Sequence, residues 1–315
     1  MPCNEAEFAP PAIREWLTAA CLRTALRTLV KPALSAKVPI VRQRWWLEQL
    51  ARLIGTGSQT GLESGIAGGV KGEWLRPRQS SDAAAPADSR GAILYLHGGG
   101  YCVASPRTHR ALTSRLARAT GLPVFVAAYR LAPEHPFPCA LDDAVAACQS
   151  LMQAGPVVIA GDSAGGGLAL ATALYLRQRQ IGSAAALVLF SPWVDLTLSA
   201  ITDKAARKDV VLSAAWLADC ARHYLAGESA SNPLASPVFA DLRGLPPTFI
   251  QAGPDELLRS DAVWVSNALM AAGVSTQCEI VPGQWHTFQL HAGLLPAANS
   301  AIERAASFIA LALKR

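Results

Sequence analysis

The segment Gly161-Asp162-Ser163-Ala164-Gly165-Gly166 constrains this chain more than any other, because an apolar run precedes it and a helix-forming run follows it. Pro156 to Ala160 (PVVIA) predicts a short buried strand, and Leu168 to Arg179 (LALATALYLRQR) predicts a helix. A serine in the turn between them needs small neighbours. Gly161 and Gly165 relieve the clashes, and the Ser163 hydroxyl stands up from the sheet as a candidate nucleophile. G-x-S-x-G alone is a weak signal; its strand-turn-helix setting is what gives it weight. A structural bend and a phosphate cradle at a helix N-terminus are the competing readings.

A nucleophilic serine needs amide donors for the oxyanion that its attack creates. Ala92 to Leu96 (AILYL) predicts another strand, and His97-Gly98-Gly99-Gly100-Tyr101 follows it at once. Missing side chains let backbone N–H groups converge there, so Gly98 and Gly99 are the expected donors, with Ala164 as the third. A flexible loop is the bland alternative. The acid and the base should come later, each behind a strand. Pro247 to Ala252 is followed by Gly253-Pro254-Asp255-Glu256, and Thr276 to Val281 by Pro282-Gly283-Gln284-Trp285-His286. His286 then takes the Ser163 proton, and Asp255 fixes the imidazole tautomer. Neighbouring residues leaving a strand point in different directions, so only one of Asp255 and Glu256 faces the histidine, and Asp255 is the one expected. His291 lies further along and is assigned to the surface or a supporting position. His97, His109, His135 and His223 are assigned structural places.

With these blocks in place, the chain resembles the hormone-sensitive lipase family of α/β-hydrolases, in the bacterial branch that carries HGGG and GDSAGG. The matching blocks are His97 to Tyr101, Tyr129 to Asp143 (YRLAPEHPFPCALDD), Gly161 to Gly166, and the DELLRSDA and PGQWHTFQL segments, in family order. The resemblance implies an α/β fold of the α/β-hydrolase type, with a mainly parallel central sheet, helices on both faces and a helical cap. It places nucleophile, acid and base on Ser163, Asp255 and His286, and oxyanion donors on Gly98, Gly99 and Ala164. Ala104 stands where the family often has glycine, and Cys102 lies beside the expected acyl pocket; both departures bear on pocket shape. Glu134 and Asp142 are expected to brace loops near the nucleophile. The implied activity is serine carboxylic ester hydrolysis of short- to medium-chain acyl esters through a covalent acyl-enzyme, with no cofactor. Leu29 to Ile40 (LVKPALSAKVPI) also resembles lactone hydrolases of the same branch, and the motifs do not separate ester from lactone. Amides and carbamates would engage the same machinery. Plant hormone receptors resembling the family bind ligand without hydrolysis, but in them the histidine is replaced, whereas His286 is present here.

At 315 residues and 51% hydrophobic content the chain can bury one large core. The expected organisation is an N-terminal helical cap segment over 1–55 and a catalytic domain over 56–315, with a second cap insertion at about 196–230. Arg23, Arg27, Lys31, Lys37, Arg42 and Arg44, interleaved with Leu, Val, Trp45 and Trp46, read as basic amphipathic helices. These are expected to close over the site, with contact to a membrane surface as the sharper alternative. Leu212 to Leu225 reads as a helix carrying Trp216 across the entrance. Trp216, Tyr101, Cys102 and Trp193 form the expected substrate-binding set, and Ser80 to Ser89 reads as a flexible loop. The net charge of +5 joins no recognised nucleic-acid motif, so no nucleic acid is expected as partner. No run approaches the roughly 20 apolar residues of a membrane span, so no stable membrane insertion is expected. No metal-spaced cluster is seen. Seven scattered cysteines without a C-x-x-C pair favour free thiols, and no signal-peptide pattern surrounds Glu5 and Glu7, so a cytoplasmic location is expected. The expected partner is a small ester or lactone. Thr276 to Val281 reads as an exposed edge strand able to pair with a second copy as a homodimer.

Overall fold

The computed structural model describes residues 4–5, 13–53, 60–77 and 90–314. The Ser80 to Ser89 loop, Glu7 and both ends of the expected N-terminal segment lie outside the described residues. Among those described, nine strands form one sheet: β1 Asn4–Glu5, β2 Thr60–Ala67, β3 Val70–Pro77, β4 Ala92–Leu96, β5 Val124–Ala127, β6 Val157–Asp162, β7 Ala186–Phe190, β8 Thr248–Ala252 and β9 Thr276–Ile280. Their spatial order is β1-β9-β8-β7-β6-β4-β5-β3-β2. Pairing is parallel from β1 across to β5, while β3 runs antiparallel to β5 and to β2.

Strands β5, β6, β7 and β8 are buried at every position and mostly apolar, because both faces are covered. In β4, Leu94 and Leu96 enter one core while Ile93 and Tyr95 enter the other, and the period of two forces this division. Helices α3 (Arg110–Thr120) and α9 (Pro296–Ala312) cover one face through Leu112, Leu116, Ile302 and Ile309. Helices α4 (Cys139–Met152), α5 (Ala164–Gln178) and α8 (Arg259–Ala271) cover the other through Ala144, Leu168 and Val265. Each buried Leu or Ile contributes about 1.5–3 kcal/mol relative to exposure.

The register brings Leu96 level with Gly161, Asp162 with Phe190, Phe190 with Gln251, and Ala252 with Ile280. The loops after β4, β6, β7, β8 and β9 therefore open on one carboxyl edge, the place where open α/β sheets bind ligands. Above that edge lie α1 (Ile13–Ala25), a π-helical turn Leu26–Val30, α2 (Ile40–Leu53), α6 (Asp203–Lys208) and α7 (Ala214–Leu225).

Three expectations change here. β9 is not an edge, because β1 pairs with it in parallel, Asn4 opposite Glu279 and Glu5 opposite Ile280. That removes the argument for a homodimer through β9, and it places part of the N-terminal segment in the sheet instead of a helical cap. Nor are all thiols free: Cys278 is disulfide-bonded, while Cys21, Cys102, Cys139, Cys148 and Cys220 are free.

Candidate active site

Ser163 sits between the end of β6 and the start of α5 with φ 53° and ψ −123°, a backbone state that costs of order 1–3 kcal/mol and persists only where its surroundings hold it. They do. Its N–H donates to the Phe190 carbonyl (2.9 Å), and its carbonyl accepts from Gly166 (3.0 Å) and Trp193 (2.9 Å). A Cβ on Gly161 would strike the Gly165 carbonyl, and one on Gly165 would strike the Leu96 carbonyl, so both positions are closed to any side chain.

His286, on the loop after β9, is buried and places Nε2 3.0 Å from Ser163 Oγ. Its other nitrogen, Nδ1, lies 3.4 Å from Oε2 of Glu256. Nδ1 makes no hydrogen bond at this distance, and contacts of this kind commonly tighten only when substrate binds. The same Oε2 accepts from Ser191 Oγ (2.8 Å), which in turn accepts the Thr287 N–H (3.1 Å), so one serine ties the carboxylate to the histidine loop. Burial pulls the His286 pKa down, but the Glu256 carboxylate, helped by Asp209 and Asp162, outweighs it and raises it above the ordinary histidine value. Burial likewise raises Glu256, against the pull of His286 and Ser191.

The carboxylate beside His286 is thus that of Glu256, and the expected acid, Asp255, is not brought to the histidine. Asp255 faces outward, with Oδ2 3.2 Å from Arg23 and Oδ1 3.4 Å from Lys208. Successive side chains leaving β8 do diverge, as expected, but it is Glu256 that turns inward. Asp209 fixes that turn by accepting the Leu257 N–H at 2.9 Å.

Of the expected oxyanion donors, Gly98 does not present its amide to the cavity. The Gly98 N–H donates to Asp162 Oδ1 (3.0 Å) and lies 3.3 Å from His109 Nε2, so it faces into the fold. Asp162 is buried and also accepts from Tyr95 (2.9 Å) and pairs with His109 (3.1 Å). Burial pushes its carboxyl up, but His109 and Tyr95 outweigh this and hold it below the usual range. The amides of Gly99, Gly100 and Ala164 donate to no protein group among the described residues. Gly100, at φ 60°, packs against Trp216 and Cys220 of α7.

A cavity of about 180 Å³ opens over Ser163, His286 and Gly99. Leu26 and Val30 of the π turn, Leu47 and Leu50 of α2, and Leu212 and Trp216 make it apolar. The covering helices are pinned by polar bonds at their margins: Arg23 to the Gly283 carbonyl (2.8 Å), Lys31 to the Asp209 carbonyl (2.6 Å), Arg44 to Glu134 (2.7 Å), and the Trp216 indole to Gln43 (2.8 Å). Glu134 thus braces α2, as a half-exposed group and not a buried one.

Of the expected substrate-binding residues, Trp216 alone lines the cavity. The left-handed turn at Gly100 and Tyr101 folds the next side chains back into the core. Tyr101 stacks on Tyr224 with ring centroids 3.8 Å apart, Cys102 is fully buried with its carbonyl held by Arg44, and Trp193 is buried with its indole on the Asp195 carbonyl. His109 and His291, assigned no part in the site, both line the cavity. Ser191, Asp209 and Asp162 were missed because their roles arise only when distant loops meet. Among the described residues no helix is long and apolar enough to cross a membrane, and no group of His, Cys, Asp and Glu is placed to hold a metal ion.

A family model described as alpha/beta hydrolase fold matches residues 93–290. The chain is 42% identical over 244 residues to an acetyl-hydrolase of Streptomyces hygroscopicus, covering 75% of this chain and 78% of that one. It is 34% identical over 268 residues to an esterase of Acinetobacter venetianus, covering 83% and 86%. Among solved structures, a hormone-sensitive lipase from a metagenome library superposes with a TM-score of 0.86 at 34% identity, covering 95% of this chain and 98% of that one. An esterase from the bacterial hormone-sensitive lipase family superposes equally well, at 0.86 with 32% identity over 97% and 100%. Likeness of this extent, on a nucleophile turn that the backbone holds in place, makes the chain a member of the hormone-sensitive lipase family of esterases within the α/β-hydrolases.

Proposed function

We propose that this carboxylesterase hydrolyses short- to medium-chain acyl esters through Ser163 as nucleophile, His286 as general base and acid, and Glu256 as the group that orients the imidazole. The 3.0 Å approach of His286 Nε2 to a serine held at φ 53° carries this reading. Ser163 Oγ bonds to the ester carbonyl carbon while its proton passes to Nε2. The carbonyl oxygen becomes an oxyanion, received by the amides of Gly99, Gly100 and Ala164. The C–O bond to the alcohol breaks, and the proton on Nε2 goes to the leaving oxygen. Water then attacks the acyl-serine by the same route, releasing the acid and regenerating Ser163.

A confined cavity of about 180 Å³ with apolar walls supports the chain-length preference. We assign the covering helices of residues 13–53 and the insertion through α7 as the cap that sets this limit. Initial rates on p-nitrophenyl esters from acetyl to palmitoyl, alongside medium-ring lactones, test it. A short-acyl optimum, with Ser163→Ala lowering kcat by about 10⁶, is expected. Lactone turnover far above every open ester would replace the substrate class, and full activity in Ser163→Ala would sink the mechanism.

A further inference from the structure

The polar side chains that face the catalytic cavity are nearly all engaged with protein partners. Ser163 bonds His286, Asp162 pairs with His109, the Thr108 hydroxyl donates to the Ser105 carbonyl (2.7 Å), and the Thr287 hydroxyl donates to the His286 carbonyl (2.8 Å). His291 differs. It lines the same cavity, yet among the described residues neither of its ring nitrogens is hydrogen-bonded to a protein group. Its ring packs against Trp285, the residue before His286, with centroids 5.6 Å apart. It therefore stands on the histidine side of Ser163, where the leaving oxygen must receive its proton. The side chains that the covering helices contribute, Leu26, Val30, Leu47 and Leu50, offer only hydrocarbon.

We propose that His291 is a specificity-determining residue that hydrogen-bonds a second hydroxyl on the alcohol part of the substrate, so that the preferred class is the monoacyl ester of a polyhydric alcohol. The inference rests on the reading of Ser163 and His286 given above. Burial pulls the His291 pKa down to about 4, so the ring is neutral at working pH and offers one donor and one acceptor. A hydroxyl can pair with either ring nitrogen, accepting from the N–H or donating to the bare nitrogen, whereas a plain alkyl alcohol covers the imidazole and leaves it unpaired. The apolar walls take the acyl chain, and the imidazole reads the alcohol.

The experiment compares kcat/KM for glycerol 1-monobutyrate and n-propyl butyrate, two esters with one acyl group and alcohols of one carbon length. Wild-type enzyme should favour the glycerol ester by about tenfold, the scale of one well-made hydrogen bond. His291→Leu should bring the ratio near one by losing rate on the glycerol ester, with propyl butyrate within about threefold of wild type. His291→Gln, which keeps a donor and an acceptor, should retain part of the preference. His291→Phe gives the same readout if the leucine variant folds poorly, since a ring still packs on Trp285. A ratio unmoved by these variants, or a wild type with no preference, overturns the assignment of His291. Failure of the Ser163 mechanism would show separately, as propyl butyrate turnover surviving Ser163→Ala.

Discussion

The floor and the roof of the catalytic cavity are built on different principles. The floor is assembled at the ends of parallel strands, where backbone bonds and buried side chains hold most groups: Ser163 by Phe190 and Trp193, Glu256 by Ser191, Gly98 by Asp162. The roof is a set of helices whose inner faces are hydrocarbon and whose polar ties, such as Arg23 to Asp255 and Arg44 to Glu134, sit partly in solvent. Buried, satisfied networks fix geometry tightly, whereas exposed ion pairs contribute little energy and are screened by salt. Reaction chemistry should therefore depend steeply on single atoms of the floor, and substrate choice should depend gently on the volume of the roof.

The adjacent pair Asp255 and Glu256 breaks this comparison most sharply, because one belongs to the floor and the other to the roof. Glu256→Gln keeps shape but removes the charge that orients His286, and should lower kcat by about 10³–10⁴. Asp255→Asn should leave kcat within about threefold, because its partners are Arg23 and Lys208. Steady-state kinetics on p-nitrophenyl butyrate decide it, and equal losses in the two variants would reverse the assignment. The pH profile gives a second reading of the same charge. Catalysis needs neutral His286, so kcat/KM falls as pH drops through its pKa, and Glu256 raises that pKa above the ordinary histidine value. The acid limb of the wild type should lie on the high side of an ordinary histidine, and in Glu256→Gln the residual activity should show that limb moved to lower pH.

A roof position should behave differently. Trp216→Leu removes ring volume from the cavity wall while leaving Ser163 and His286 in place. The acyl optimum should move to longer chains, changing the butyrate-to-octanoate ratio by about tenfold in favour of octanoate. An unchanged ratio together with a collapse of kcat would mean that the roof takes part in the chemistry.

The same division explains how much was legible in the sequence. Strands β4, β6, β8 and β9 and the turn around Ser163 could be read because apolar runs and obligatory glycines are local signals. His286 could be read because it follows a strand at the expected place in the chain. The choice between Asp255 and Glu256 could not, since it depends on how Asp209, distant in sequence, seizes the Leu257 amide and turns the loop. The oxyanion loop failed for a similar reason. The Gly98 amide, expected to face substrate, is captured by the Asp162 carboxylate beneath it, and nothing local to the glycines announces that bond. Tyr101 and Cys102 were misplaced because a left-handed turn at Gly100 and Tyr101 reverses which side chains face substrate, and Trp193 because its indole turns to the Asp195 carbonyl; neither has a composition of its own. His291 was passed over because a histidine beyond the catalytic one carries no motif; only the cavity wall shows it.

The smallest expected effect tests whether the roof is tied down by its ion pairs or by its hydrocarbon face. Asp255 joins α1 through Arg23 and α6 through Lys208, with Asp255 a quarter exposed and Lys208 more than half exposed. Pairs of this kind contribute about 0–1 kcal/mol each, less than the burial of one leucine such as Leu26 or Leu34 on the same arm. Asp255→Asn should therefore lower Tm by at most about 3 °C. About 1 M salt should remove most of the difference between variant and wild type, because the Debye length falls to about 3 Å and the attraction is screened. A fall in Tm several times larger and insensitive to salt would show that the carboxylate supports the Glu256 loop itself, and the line between floor and roof would then run on the other side of Asp255.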